Sequence, residues 1–457
     1  MDIFFIDKKL DKYQRKAVLC NKRAYLVVAG AGSGKTLTIV SKVDYLKKHG
    51  IKEKNILCIS FTNETVNSLK NRLEENNLHV DVKTFHKLSL DILNNEYNVS
   101  NNNLLDYIID EYFNSIMYYD NLNKLLDDSI NIDNLKNVVL TFINQLKSLN
   151  LNQDYVLSLL RDKIPNEHKI ILLFIFRIYV LYQEELKSEN KIDFNDMINL
   201  ASKKIEYLKS FKYSYIIIDE YQDTSDSKYL LIKRIMDKFN INIMAVGDDY
   251  QSIYSFTGCN LKMFTNFKKY FNKSKIIKMK NTYRNPYDIV EISRRFILKN
   301  RNQINKRLKS NKHLNDSINV VYIKNEEEAF LKIIEDIDNI FVLGRNNKDL
   351  DNIKSLNVDR NIKYLTVHKS KGLEEDYVIV LNVIDDSLGF PNKIKENEVL
   401  NYLMNYNHLE EERRLFYVAL TRAKKKVFLF TIKGRESIFI KELLKNFKYK
   451  IKIYNLE

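Results

Sequence analysis

One cluster of glycines restricts the possible folds of this chain more than any other feature of the sequence. Only 10 glycines occur among 457 residues, yet Gly30, Gly32 and Gly34 lie within five residues of one another. The apolar run Ala24–Ala29 precedes the cluster and predicts a strand, and a helical pattern begins directly after it. In such a strand–loop–helix unit, backbone N–H groups and the positive end of the helix surround a phosphate group. The cluster therefore predicts an α/β domain that binds a nucleoside triphosphate.

The residues of this loop have distinct expected roles. Lys35 is expected to reach the β- and γ-phosphates, and the Thr36 hydroxyl is expected to bind Mg²⁺. The strict form of the pattern has glycine where this chain has Ala29. The predicted nucleotide-binding loop comprises Ala29, Gly30, Ala31, Gly32, Ser33, Gly34, Lys35 and Thr36.

Two carboxylates follow a second predicted strand. The run Tyr215–Ile218 is apolar throughout, and Asp219 and Glu220 come directly after it. Acids at the carboxyl end of such a strand can reach a phosphate loop, so Asp219 is expected to bind Mg²⁺ and Glu220 to act as the general base. An ordinary strand with a solvated acidic end is the alternative. Together with the glycine loop, the pair predicts a site of nucleoside triphosphate hydrolysis.

Short β-branched runs alternate with helical patterns in two parts of the chain, which is typical of parallel sheets covered by helices on both faces. The first set of predicted strands is Ala24–Ala29, Asn55–Phe61, Asp81–Thr84, Tyr215–Ile218 and Ile241–Val246. The second set is Val320–Ile323, Ile340–Leu343, Tyr364–Val367, Val378–Leu381 and Val427–Phe430. The predicted fold class is α/β, with two parallel-sheet domains and a helical insertion in the first.

The charge balance indicates the class of partner, and the cysteine content bears on disulfide bonds and metal binding. Lys and Arg total 74 against 59 Asp and Glu, which favours nucleic acid as a partner over a membrane surface, although compositional bias is an alternative. The widely spaced Cys20, Cys58 and Cys259 favour neither a disulfide framework nor zinc. The run Ile170–Tyr182 contains Arg177 and predicts a buried helix, not a membrane span. With no signal-peptide pattern at the start, a cytoplasmic location is expected.

Beyond the two phosphate-site motifs, the sequence resembles a known family. The segment Asp219–Thr224 reads DEYQDT and is similar to the DExQDT box of the UvrD/Rep/PcrA-type superfamily 1 DNA helicases. Segments on both sides of it resemble the other boxes of that family and occur in the family's order along the chain. These segments are Leu10–Arg15, Phe61–Asn63, Thr84–His86, Val246–Tyr254, Tyr283-Arg284, Thr366–Glu374 and Tyr417–Ala423. The resemblance implies two RecA-like P-loop domains.

The resemblance also implies roles within the nucleotide site. Gln251 would sense the γ-phosphate, Arg284 would contact the phosphates, and Arg422 would act as an arginine finger. Gln14 and Tyr283 would bind adenine. The implied catalytic residues are Lys35, Glu220, Gln251, Arg284 and Arg422, and the nucleotide-binding residues outside the loop are Gln14, Tyr283 and Glu374. ATP and Mg²⁺ are the implied cofactors.

A face that binds single-stranded DNA is implied in the same way. Aromatic rings stack on bases of any sequence, and because the chain has no Trp, Phe256 is expected to be the main stacking residue. For Phe61 the ordinary alternative is a place in the core, and for His86 and His368 it is a structural hydrogen bond. The implied DNA-binding residues are Phe61, Thr62, Asn63, Thr84, His86, Tyr254, Phe256 and His368.

Domain boundaries are predicted from the positions of the boxes. The expected domains are 1A, which binds ATP, at residues 1–90 and 191–275, the helical 1B at residues 91–190, and 2A at residues 276–457. Larger family members carry a further helical subdomain, 2B, between motif IV, which Tyr283-Arg284 resembles, and motif V, which Thr366–Glu374 resembles. Here motif V follows Ile340–Arg345 after about 20 residues, fewer than the ~50 that a domain needs, so 2B is not expected. Neither an N-terminal coiled-coil arm nor an attached nuclease domain is expected.

These patterns together predict an ATP-dependent 3′→5′ DNA helicase or translocase that acts in repair or recombination. The run Gly247–Gln251 most resembles the helicase IV branch of the family. An ATPase motor subunit of a larger repair or anti-phage defence complex is one alternative, and a non-catalytic interaction protein with the same fold is another. The expected partners are single-stranded DNA or a 3′-tailed duplex and a protein that loads the motor, with no membrane and no zinc.

Overall fold

Two six-stranded parallel sheets form the framework of the protein. The computed structural model describes residues 4–5, 8–100, 103–117, 132–394, 397–404 and 407–456. The strands of the first sheet are β1 (Ala24–Val28), β2 (Ile56–Ser60), β3 (Asp81–Thr84), β4 (Tyr215–Ile218), β5 (Asn242–Gly247) and β6 (Lys275–Lys278). Those of the second are β7 (Ile318–Ile323), β8 (Ile340–Gly344), β9 (Ile362–Thr366), β10 (Glu375–Val380), β11 (Ala423–Thr431) and β12 (Lys452–Leu456).

The strand order confirms the predicted fold class. Neighbouring strands are parallel in the order β6-β1-β5-β4-β2-β3 in the first sheet and β9-β8-β10-β11-β7-β12 in the second. Each predicted strand is present, with ends displaced by at most four residues. The edge strands β6 and β12 were not predicted. Because β6 pairs with β1, the first sheet continues beyond residue 275, where the sequence placed a domain boundary.

Helices connect the strands and cover both faces of each sheet. In the first part of the chain they are α1 (Lys12–Val18), α2 (Lys35–Lys48), α3 (Asn63–Glu74), α4 (Phe85–Leu93), α5 (Leu104–Met117), α6 (Ile132–Ser148), α7 (Gln153–Arg161), α8 (Asn166–Ser188), α9 (Phe194–Lys204) and α10 (Asp226–Phe239). After them come α11 (Lys262–Thr265), α12 (Phe267–Tyr270), α13 (Tyr287–Ile297), α14 (Glu326–Ile334), α15 (Asp351–Ser355), α16 (His408–Leu420) and α17 (Ile438–Phe447).

The strands are apolar on both faces because each sheet lies between two hydrophobic cores. In β1, Leu26 and Val28 belong to one core, whereas Tyr25 and Val27 belong to the core on the opposite face. The residues of β10 alternate between two cores in the same way. Burial on both faces explains why the runs from which these strands were predicted are apolar without a polar alternation.

Helices α5–α8 form a subdomain with a core of its own. Leu172, Ile175 and Ile178 of α8 are fully buried in it, so the long apolar run is a helix with one face in the core, although Leu173 in the same run is 54% exposed. At the base of the subdomain, Asn98–Val99 pairs with Lys191–Ile192. No helix in the described ranges is long and apolar enough to cross a bilayer.

A segment of the chain between β10 and α16 reaches across to this helical subdomain. Residues 397–404 form a docking arm, which places Val399 and Leu400 in the core of α5–α8. The Tyr155 hydroxyl of α7 donates a hydrogen bond to the Tyr402 carbonyl at 2.6 Å. The arm therefore joins the second sheet to the helical subdomain by packing as well as by the chain.

The connection between β8 and β9 is short. Residues 345–361, all of which the structure describes, contain one 3₁₀ turn and helix α15. The two strands are thus joined directly at this point, and the lack of the 2B subdomain of larger family members stays a prediction.

Candidate functional site

A cleft of ≈ 570 Å³ lies where the carboxyl ends of β1, β4 and β5 meet the second sheet and its loops. Parallel strands end at the same edge of a sheet, so the residues that follow them come together. The cleft is lined by Gly30, Ala31, Gly32, Ser33, Gly34, Lys35, Thr36, Asp219, Glu220, Gln251, Tyr283, Arg284, Glu374 and Arg422, with other residues around them. All five predicted catalytic residues are among them. Ala29 and Gln14, also expected at the nucleotide, do not line the cleft.

The glycine loop after β1 is closely covered by the segment that follows β6. Gly32 has a φ of +68°, and a Cβ at this position would collide with the side chain of Arg284. The Tyr283 N–H donates a hydrogen bond to the Gly32 carbonyl at 2.9 Å. Glycine is therefore needed here both for the backbone conformation and for the close approach of the neighbouring chain. Helix α2 begins at Lys35, so its free N–H groups lie at the loop.

Lys35 and Glu220 form an ion pair in the cleft, with 2.5 Å between Nζ and Oε1. Burial lowers the pKa of Lys35, but the charges of Glu220 and Asp219 raise it, and the net shift is upward. Burial raises the pKa of Glu220, but Lys35 and Lys371 lower it, and the net shift is downward. Burial and the Glu220 charge raise the pKa of Asp219. Lys35 and Glu220 are therefore both charged at neutral pH.

Glu220 is held in a backbone conformation that is uncommon for a residue with a side chain. Its φ of +49° lies in the left-handed region, which costs free energy and is often found at functional sites. Gln222 Nε2 donates to Glu220 Oε2 at 2.7 Å, and Gln222 Oε1 accepts the Asp248 N–H at 2.9 Å. These contacts fix the direction of the Glu220 carboxylate. The sequence interpretation gave Gln222 no role.

Two arginines from the chain after β6 reach the cleft. Arg422 is 1% exposed and donates to Gln251 Oε1 at 3.2 Å and to the Leu373 carbonyl at 2.9 Å. Burial and the nearby charge of Arg284 lower the pKa of Arg422 to about 9, so it remains cationic at neutral pH. Arg284 Nε donates to Glu374 Oε2 at 2.5 Å. Glu374, expected at the nucleotide, thus orients Arg284.

The two residues expected to bind adenine differ in accessibility. Gln14 is 2% exposed, and its side chain accepts the Asp11 N–H at 3.0 Å and donates to the Ser33 carbonyl at 3.2 Å. Tyr283 is 50% exposed, and its hydroxyl donates to Asp11 at 2.7 Å. Gln14 therefore supports the glycine loop from behind, and Tyr283 presents an accessible ring. That either residue binds adenine stays a prediction.

The cleft has the chemistry that a magnesium–triphosphate complex requires. The Thr36 hydroxyl and the Asp219 carboxylate are hard oxygen donors of the kind that Mg²⁺ prefers, and both line the cleft beside Lys35. Lys35, Arg284 and Arg422 supply positive charge for phosphate oxygens. No cluster of three or more His, Cys, Asp or Glu suited to another metal occurs in the part of the chain that the structure describes.

Three of the rings expected at DNA form a cluster between the two sheets. Tyr254 and Phe256 follow β5, and His368 follows β9. The ring centroids lie 6.1 Å apart for Tyr254 and Phe256, 6.4 Å for Tyr254 and His368, and 6.1 Å for Phe256 and His368. Lys371 Nζ lies 4.5 Å from the Tyr254 centroid and pairs with Asp223 at 2.5 Å. Rings combined with a cation provide the chemistry of a base-stacking site.

The other predicted DNA contacts lie at the ends of β2 and β3. Phe61 packs partly against the core of the first sheet, and Lys228 Nζ lies 4.6 Å from its ring centroid. The hydroxyls of Thr62 and Thr84 accept backbone N–H groups at the starts of α3 and α4, and Asn63 is exposed. Helix capping is thus a structural role that both threonines perform without DNA. Their contact with DNA stays a prediction.

Both histidines of the predicted DNA face are neutral at neutral pH. Burial and the charges of Arg345 and Lys371 lower the pKa of His368 to about 4. Burial and Lys228 lower the pKa of His86 to about 4, although Asp193 opposes the shift. The His86 ring also packs edge-on against Phe194, with centroids 5.1 Å apart. His86 is therefore not part of the cluster of Tyr254, Phe256 and His368.

Comparison with known protein families identifies the chain. The model of the UvrD/REP helicase N-terminal domain matches residues 10–272, more than half of the sequence. The chain belongs to the UvrD/REP helicase family. A second model, of the viral superfamily 1 RNA helicase core domain, matches residues 180–431, a range that includes Arg422.

Individual relatives in the helicase family are similar over much of this chain. The ATP-dependent DNA helicase Rep of Buchnera aphidicola (from Acyrthosiphon pisum) is 32% identical over 71% of this chain and 50% of its own length. DNA helicase IV of Escherichia coli is 25% identical over 96% of this chain and 70% of its own length. The ATP-dependent DNA helicase PcrA of Staphylococcus epidermidis is 30% identical over 64% of this chain and 40% of its own length. The chain thus spans about half the length of the Rep proteins it matches.

Within this UvrD/REP framework, the structure reveals an ion pair that the sequence interpretation missed. Lys371 lies in the motif V segment and Asp223 in the DExQDT segment, and both are almost fully buried in their contact. The pair joins the loops of the two sheets between the cleft and the ring cluster. In the sequence, the available signal for this pair was that each residue lies in a segment resembling a family box. Only the fold shows that the side chains of Lys371 and Asp223 meet.

Proposed function

We propose that this chain hydrolyses ATP and couples the hydrolysis to 3′→5′ movement along single-stranded DNA. The observation that carries the proposal is the composition of the cleft. Lys35 and Glu220 come from the first sheet, Arg422 comes from the second, and Arg284 lies in the connection between the sheets. A site divided in this way is complete only when the domains are closed, which links hydrolysis to domain motion.

Each cleft residue has a step that fits its surroundings. Glu220, kept ionised by Lys35 and oriented by Gln222, accepts the proton of the water that attacks the γ-phosphate. Lys35, Arg284 and Arg422 balance the negative charge of the phosphates. Bound Mg²⁺ would polarise the phosphate oxygens, and Thr36 and Asp219 are the residues that would hold it. Gln251, in contact with Arg422, relays the position of the second domain to the first.

Lys371 supplies a physical link between hydrolysis and DNA. Its ammonium pairs with Asp223, lies over the ring of Tyr254 and lowers the pKa of Glu220. A base that stacks on Phe256 beside Tyr254 would lie next to this lysine. A change in the ring cluster would in this way affect the Glu220 carboxylate through the side chain of Lys371.

Three further features support a DNA motor. Rep, PcrA and helicase IV are named as DNA helicases, and the chain carries a net charge of +15, which favours a nucleic-acid partner. The exposed ring of Phe256 lies beside Tyr254 and His368, and an accessible aromatic ring is what sequence-independent binding of single strands requires. The 3′→5′ direction and a role in repair or recombination are proposed from family membership.

The test combines hydrolysis with strand displacement. Purified protein should release phosphate from ATP faster when single-stranded DNA is added, and Glu220→Gln should abolish both rates. Duplexes with a 3′ tail should be separated in the presence of ATP, whereas matched duplexes with a 5′ tail should not. ATP hydrolysis that ignores DNA would contradict the motor, and a preference for the 5′ tail would contradict the direction.

A second candidate is an ATPase subunit of a larger repair or anti-phage defence complex. The direct connection of β8 to β9 through residues 345–361 favours it, because no subdomain at this point grips a duplex. In that case DNA-stimulated hydrolysis should be intact, while displacement should stay limited to short duplexes, because each base step costs about 1.4 kcal/mol of stacking.

A further inference from the structure

A lysine outside the cleft is completely buried beneath the loop that carries Gln251. Lys306 lies in the connection between α13 and β7, and its side chain is 0% exposed. Its ammonium forms ion pairs with Asp248 and, at 2.7 Å, with Asp249. It also lies 3.4 Å from the ring centroid of Tyr250. A charge buried this deeply is stable only with such partners, because it has lost its contact with water.

Asp248 connects this lysine to the hydrolytic residues on both sides. One carboxylate oxygen pairs with Lys306, and the other accepts a hydrogen bond from Gln251 Nε2 at 2.6 Å. Gln251 in turn accepts the hydrogen bond from Arg422 described above. The backbone N–H of Asp248 donates to Gln222, which holds Glu220. Asp248 thus contacts both Gln251, which holds the arginine finger, and Gln222, which holds the general base.

The backbone around Lys306 is fixed to the same loop. The Ile304 N–H donates to Asp249 Oδ2 at 2.7 Å, and the Tyr250 hydroxyl donates to the Ile304 carbonyl at 3.0 Å. Two residues after Lys306, the side chain of Leu308 lies against Gly30, where a Cβ would collide with it. The segment is therefore held between the glycine loop and the Gln251 loop, and it places the lysine with little freedom.

We propose that Lys306 is a positioning residue for ATP hydrolysis, which orients Gln251, and through it Arg422, by fixing the carboxylate of Asp248. The inference deepens the proposed function and rests on it. Lys306 does not line the cleft, so it acts through Asp248 and not on the nucleotide itself. Without the lysine, the Asp248 carboxylate keeps only the hydrogen bonds from the Tyr250 N–H, at 3.1 Å, and from Gln251 Nε2, so the acceptor of Gln251 is held less firmly.

The alternative is that Lys306 only stabilises the fold. A second cluster of the same chemistry makes the positioning role and the structural role separable by experiment. Lys147 of α6 is also buried, pairs with Asp193 and, at 2.6 Å, with Asp196, and lies 5.0 Å from the ring of Tyr182. None of these four residues lines the cleft. Lys147→Met therefore measures the effect of removing a buried lysine from two carboxylates without a connection to Gln251.

The experiment compares Lys306→Met with Lys147→Met and with the double variant Lys306→Met/Asp249→Asn. The double variant restores the charge of the buried cluster but leaves Asp248 without its lysine. Each full-length protein is measured for kcat and KM of ATP hydrolysis and for its thermal melting temperature. In Lys306→Met, kcat should fall by up to about 100-fold, the loss that a displacement of about 1 Å at a catalytic group can cause, while KM changes little.

The double variant decides between the two roles. Positioning predicts that it recovers melting temperature but not kcat, and that Lys147→Met loses stability while keeping kcat. Recovery of wild-type kcat in the double variant, or an unchanged kcat in a folded Lys306→Met, would overturn the inference. If Lys306→Met does not fold, the double variant alone gives the answer. Failure of the wild type to hydrolyse ATP would instead reject the proposed function.

Discussion

Replacing Phe256 by Ala should weaken the coupling of ATP hydrolysis to DNA. Phe256 is 43% exposed, and its ring meets those of Tyr254 and His368 at interplanar angles of 71° and 80°. Edge-on contacts of this kind leave a face of the ring free for a base. One base–aromatic stack contributes about 1–3 kcal/mol, so the DNA concentration that half-saturates the ATPase should rise about 5- to 150-fold, at 1.36 kcal/mol per factor of ten.

The assay is a titration of steady-state ATP hydrolysis with a homopolymeric single-stranded oligonucleotide at fixed salt. Tyr207→Ala is the matched control, because Tyr207 is 81% exposed and lies in the 3₁₀ turn after α9, away from the ring cluster. Thermal melting of both variants checks that the fold is kept. An unchanged half-saturating concentration for Phe256→Ala, or an equal rise for Tyr207→Ala, would refute base stacking at this ring.

Four further outcomes are expected. Lys35→Ala should abolish hydrolysis while far-ultraviolet circular dichroism stays that of the wild type. Glu220→Gln should retain ATP binding, measured by equilibrium dialysis, but lose hydrolysis, because Asp219 still offers its carboxylate to Mg²⁺. Stimulation by DNA should fall steeply with salt, and the logarithm of the apparent DNA affinity, measured from the half-saturating DNA concentration, should fall linearly with log salt, since phosphate contacts release counterions. His86 and His368, whose pKa values fall from 6.5 to about 4 on folding, should stabilise the protein fully above about pH 6.5 and lose this contribution as the pH falls towards 4, measured by denaturant unfolding across that range.

The two parallel sheets could be predicted because both of their faces are buried. Strand β4 is apolar throughout and β10 ends in the β-branched run Val378–Val380, and Asp219 and Glu220 directly after β4 carry recognisable chemistry. The edge strands β6 and β12 could not be predicted in the same way. Lys275–Lys278 carries a lysine at each end and is only partly buried, so its pattern resembles that of a polar connection.

The residues of the cleft were predictable where a chemical role leaves a local motif. Lys35, Glu220 and Arg422 are examples, and the fold brings them together. Gln222, Lys371 and Lys306 act by holding other side chains, and their partners are distant in the chain. Lys306 in particular reads as one of many surface lysines in this basic sequence, because nothing near it in the sequence indicates that it is buried against Asp248.

The docking arm limits how far the second sheet can turn. Val399 and Leu400 are buried in the helical subdomain, and exposing each would cost about 1.5–3 kcal/mol. Large rotations of the second sheet must therefore carry the helical subdomain with them or extract the arm from its core. In the proposed motor, the burial of Val399 and Leu400 outside the cleft thus limits how far the second sheet turns in each cycle.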